Sequence, residues 1–109
     1  MAQANYTYQQ TRNVSINKNN LQNIASDTNL SETDIRVCLI LFTELNGWNN
    51  GDNHKKDPLN YKIIDKESIA RTLGIKKKKV KKAIDNLIDE GYIENGESET
   101  VSNGYRFTF

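Results

Sequence analysis

The residue order predicts an α+β domain: a three-helix core with a C-terminal β-hairpin and a short strand before the second helix. Three observations carry this. Apolar residues recur at threes and fours from Ile35 to Leu45 and again from Val80 to Ile88. A shorter stretch of the same period, Ile69 to Leu73, is separated from the second of these by Leu73-Gly74-Ile75-Lys76. The chain then ends on Tyr92-Ile93-Glu94-Asn95 and Tyr105-Arg106-Phe107-Thr108-Phe109, joined by a polar segment containing Asn95-Gly96 and Asn103-Gly104. A period near 3.6 marks one helix face, whereas alternation marks a half-buried strand.

Each element has its own start and stop. Residues 1–10 are polar apart from Tyr6 and Tyr8, and residues 1–16 read as an arm ahead of a domain at residues 17–109. Val14 and Ile16 suit a short strand, and Leu21, Ile24 and Ala25 suit one helical turn or two. The first long helix begins at Ser31, which has capping-box spacing to Asp34, with Leu30 and Ile35 spaced as a hydrophobic staple. Gly47 stops it. Residues 48–60 hold many Asn, Gly, Asp and Lys residues with Pro58 and read as a loop, after which residues 61–64 read as a strand. Asp65 caps the second helix and Gly74 ends it. The third helix has Val80, Ala83, Ile84, Leu87 and Ile88 on one side, and Gly91 closes it.

The chain of 109 residues fits one core, so a second sensing or catalytic domain is not expected. Hydrophobic residues at 36% and charged residues at 27% place it among polar globular domains rather than disordered ones. No apolar run approaches the roughly 18 residues of a membrane span, and no secretory leader pattern opens the chain, so the expected location is cytoplasmic. Abundant Asn, Lys and Ile with scarce Arg and Pro hint at an AT-rich bacterial, phage or plasmid source.

Catalytic and metal chemistry find no foothold. Cys38 is the single cysteine and lies in an apolar stretch, so an inert buried thiol is expected. His54 is the single histidine, in a loop without companion ligands. No Gly-rich phosphate loop, metal cluster or nucleophile–base set is present, and neither an enzyme nor a cofactor is expected.

The net charge of +1 hides a strong asymmetry. Between Asn53 and Lys82 eleven Lys or Arg stand against Asp57, Asp65 and Glu67, whereas Ala83 to Gly104 holds six acids and no base. Lys76, Lys77, Lys78, Lys79, Lys81 and Lys82 crowd the start of the third helix. A lysine-rich face is ordinarily just solvated surface. Position argues otherwise here, because two helices joined by a short glycine-containing turn form a unit whose second helix can lie in the DNA major groove.

The order helix, strand, helix, helix, strand, strand resembles the winged helix-turn-helix family. The resemblance covers residues 31–109, and its most specific part is IDKESIARTLGIKKKKVKKAIDNLIDEGYIENG, residues 64–96. Leu73-Gly74 matches the family's turn, Val80 to Leu87 its recognition helix, and Gly91-Tyr92-Ile93 the entry to its wing. The resemblance extends to bacterial transcription regulators, to small plasmid replication proteins and, on size and composition, to accessory proteins of conjugative plasmids. It implies double-stranded DNA as partner, dimers on repeated sites and a regulatory or accessory role at a promoter or a plasmid origin.

The expected DNA contacts are the six lysines, with Lys66 and Arg71 on the second helix and Lys55 and Lys56 in the loop as secondary candidates. The wing departs from the family pattern by carrying Glu97 and Glu99, which repel phosphates. Ser98, Thr100, Ser102 and Asn103 can still donate hydrogen bonds there, and Arg106 can reach a phosphate or minor-groove edge. A second reading follows from the charge split: an adaptor whose acidic wing recruits a plasmid replication or transfer protein. The apolar residues of the segment from Val14 to Leu30 are the expected surface for homodimer pairing.

Overall fold

The computed structural model describes residues 16–46, 61–98 and 101–109. Asn17 opens helix α1, Lys18–Ala25, by accepting the amides of Asn19 and Asn20 on its side chain. This is the pair of turns expected around Leu21, and it gives the chain a fourth helix beside the expected three. Ile16, expected in a strand with Val14, belongs to no strand and packs half-buried against the core instead. Val14 and nearly all of the expected arm lie outside the described residues.

Helix α2, Glu32–Leu41, starts on the full capping box. The Ser31 hydroxyl accepts the Asp34 amide at 3.1 Å, and the Asp34 carboxylate accepts the Ser31 amide at 2.9 Å. Val37, Cys38 and Leu41 are completely buried, and the helix runs on through a wider π-helical turn, Phe42–Asn46, that buries Phe42 and Leu45. Its expected stop, Gly47, lies outside the described residues, as does the loop at residues 48–60.

Asp65 accepts the Ser68 amide at 3.0 Å and so begins α3, Lys66–Leu73. Gly74 then takes φ 70°, a left-handed conformation that costs glycine nothing and a Cβ-bearing residue about 1 kcal/mol or more. The chain reverses in three residues into α4, Lys77–Asp89. Val80, Ala83, Ile84 and Leu87 form its buried face, which packs on α2 and α3. Fully burying a side chain of the Leu or Ile type stabilises the fold by roughly 1.5–3 kcal/mol.

After Gly91, β1, Ile93–Gly96, pairs antiparallel with β2, Gly104–Phe107, in the register Ile93 to Phe107 and Gly96 to Gly104. Ile93 and Phe107 face the core, and the Phe107 ring stacks on Phe42 with centroids 4.7 Å apart. The strand expected at residues 61–64 shrinks to one bridged pair. Lys62 and Tyr105 exchange both backbone hydrogen bonds at 2.9 Å, and among the described residues nothing extends the ladder. The physical reason is the cap at Asp65, which turns the chain into α3 before a second pair can form. Ile64 is still drawn into the core, while Ile63 stays exposed.

Candidate nucleic-acid interface

The turn between α3 and α4 is locked from within. The Ile75 amide donates to the Ala70 carbonyl at 3.0 Å and the Gly74 amide to that of Arg71 at 3.3 Å. Lys76 is the N-cap residue of α4 and makes no side-chain capping bond, and no acid occupies the first turn. Lys76, Lys77, Lys78, Lys79, Lys81 and Lys82 are all exposed. Lys76 to Lys79 thus stand at the positive end of a helix dipole, each opposing it by about 0.3–1 kcal/mol when solvated, with Lys81 and Lys82 one turn further in. The helix end is built against its own electrostatic preference.

With Val80, Ala83, Ile84 and Leu87 inward, a 100° step sets Lys78, Lys82, Asp85 and Asp89 on the outward face. Lys81 meets Asp85 at 3.5 Å and Lys77 meets Glu67 of α3 at 3.7 Å, both as exposed pairs of little energetic weight. Toward α2, Lys79 and Lys82 border a cleft of about 290 Å³ with Ser31, Thr33 and Asn86. At its floor Asp34 is 2% exposed and accepts from the Asn86 amide nitrogen at 3.2 Å as well as from its own helix cap. This bond fixes the rotation of α4 against the start of α2. Sequence reading took Asp34 for a cap alone, and Asn86 carries no local signal beyond sitting at the border of the apolar stripe.

The secondary candidates divide. Arg71 is exposed in the last turn of α3. The Lys66 amine is drawn to the hairpin, 3.2 Å from the Tyr105 hydroxyl and 5.1 Å from its ring centroid. Arg106 lies against its own sheet: its Nε donates to Glu94 Oε2 at 2.6 Å and its guanidinium stacks on Tyr61 at 4.3 Å. The Tyr61 ring also covers Gly96, where an added Cβ would collide with the ring. Of the wing residues, Ser102 and Asn103 are exposed. Asn103 accepts from Asn95 at 3.1 Å, and the Ser98 hydroxyl is buried with no partner among the described residues. Thr100, Glu99, Lys55, Lys56 and His54 lie outside the described residues.

The segment joining hairpin and core is also tied down. The Tyr92 hydroxyl donates to Asp27 at 2.8 Å, and the Asn29 side chain donates to Glu90 at 3.3 Å. The Asn29 amide and the Tyr92 hydroxyl hold the Asp27 carboxyl below its ordinary range, while burial first and Asp27 second push Tyr92 up to about 12. No helix among the described residues is long and apolar enough to cross a membrane.

Helices, locked turn and antiparallel hairpin in this order make the fold a winged helix-turn-helix. Residues 60–93 match the family model of a helix-turn-helix domain, a span that runs from before α3 through α4 to the start of β1. No curated protein and no solved structure matches the chain.

Proposed function

We propose that this protein binds double-stranded DNA through the outward face of α4, gripped chiefly by the lysines at its start, without chemistry of its own, as a regulator or accessory factor at a promoter or a plasmid origin. The observation that carries the reading is the uncapped, acid-free start of α4 with its six exposed lysines. Helix-turn-helix units lay this helix in the major groove, where phosphates reward cations that the helix dipole penalises. The match of residues 60–93 to a helix-turn-helix domain supports the same reading. Arg71 joins the lysines as a phosphate contact, with Ser102 and Asn103 as weaker donors from the hairpin. Arg106 and Lys66, held by Glu94 and Tyr105, serve the base of the wing rather than the DNA.

Two copies on a repeated site, in a bacterial cytoplasm, complete the proposal. The pairing surface is smaller than the sequence suggests: Ile24 and Leu30 are buried in the chain's own core, and Leu21 remains exposed. The exposed acid Glu97 of the hairpin favours a second role, recruitment of a replication or transfer protein by the acidic wing.

The test is fluorescence anisotropy on a labelled duplex at fixed low salt. Lys78→Ala combined with Lys82→Ala, with an unchanged circular dichroism spectrum, is expected to weaken binding roughly tenfold or more. Equal affinity of the double variant and the parent rules out entry of this helix into the groove.

A further inference from the structure

Within α4, cations outnumber groups able to read a base. Lysine is a flexible point charge that offers a groove attraction but little directional choice. The directional side chains of the helix are Asp85, Asn86 and Asp89. Asn86 is committed to Asp34 and faces α2. Asp89 is the last residue of the helix, about two turns beyond Lys82 on the outward face. Asp85 remains: it is exposed, on the same outward face as Lys78 and Lys82 and less than one turn past Lys82, with the Lys81 amine 3.5 Å away.

A carboxylate at that place has few welcome neighbours in a duplex. Phosphates, guanine O6 and N7, and thymine O4 all repel it; the major-groove donors are the amino groups of cytosine and adenine. Adenine sets its amino group beside the N7 acceptor, which a carboxylate cannot satisfy, whereas cytosine N4 stands as a plain donor. Lys82, next along the face, suits the guanine edge of the same or the adjacent pair, since residues 82 and 85 are about 4.5 Å apart along the axis and base pairs about 3.4 Å.

Resting on the DNA-binding reading above, we infer that Asp85 is the specificity-determining residue of α4, accepting a hydrogen bond from a cytosine amino group and rejecting sites that present none there. The lysines hold the duplex, and Asp85 selects within it.

The experiment is selection from a randomised duplex pool by the full chain and by its Asp85→Ala variant, followed by anisotropy on the selected and a scrambled duplex. The parent is expected to enrich a C·G pair at one fixed position. Asp85→Ala is expected to lose the preference at that position alone, to bind the scrambled duplex more tightly, and to discriminate roughly five- to a hundredfold less. If both proteins retain DNA and enrich the same pattern, or none, the assignment to Asp85 fails while DNA binding stands. If neither retains any duplex, the reading it rests on fails with it.

Discussion

Cys38 lies on α2 between Val37 and Leu41, with none of the three accessible to solvent. Burial pushes its thiol from an ordinary value of 9.0 up to about 12. Tyr92 moves in the same direction, from 10.0 to about 12. In both cases the folded chain keeps a proton that the unfolded chain gives up first. Stability is therefore complete below about pH 9 and falls as pH rises toward 12. Urea denaturation at intervals from neutral to strongly alkaline pH should show this decline, and Cys38→Ala should flatten its first part while leaving the part above pH 10 that belongs to Tyr92. An identical pH profile for the variant contradicts the buried-thiol account. The inert thiol was legible in the sequence because a lone cysteine in an apolar helical stretch has nowhere else to go. The Asp34–Asn86 bond was not legible, since the partners are 52 positions apart, Asp34 already serves its own helix cap and Asn86 carries no local signal.

At the scale of elements, the proposed function sets the stability of α4 against its grip on DNA. Its N-cap residue makes no capping bond, and its first turn is cationic. Lys76→Ser supplies the missing acceptor and removes one opposing charge. The expected result is a gain of about 0.5–2 kcal/mol in unfolding free energy with a several-fold loss of duplex affinity. Denaturant titration and anisotropy on the same preparation read both, and a variant that gains stability without losing affinity would mean Lys76 stands clear of the DNA. Helix limits were readable here because caps and left-handed glycines act locally: Ser31 with Asp34, Asp65, Gly74 and Gly91 all stand where spacing put them. Pairings between distant segments were harder to read. Residues 61–64 read as a strand, but strand length depends on what lies alongside, and Tyr105 offers Lys62 a single bridge. The Arg106–Glu94 pair was not legible because the two become neighbours only through the hairpin register. Tyr61, which covers Gly96 and stacks on Arg106, was passed over for the same reason.

For the whole molecule, the contrast between basic and acidic segments along the chain becomes a contrast in space between the exposed lysines at the start of α4 and the acids of its later turns and of the hairpin. The α2–α4 core and the hairpin are joined by Ile93 and Phe107 inside and by Tyr92–Asp27 and Asn29–Glu90 outside. That frame holds the lysine end of α4 fixed, and an oriented charge cluster is what separates a binding surface from a solvated one. If phosphates are its target, each neutralised phosphate releases counterions, and the affinity must fall steeply with salt. The most direct measurement is the dissociation constant of the unmodified protein for a duplex across a salt series. A linear plot of log K against log salt with a slope of roughly −5, matching five or six lysine contacts, is predicted; a slope near zero, or no binding in dilute buffer, contradicts the account.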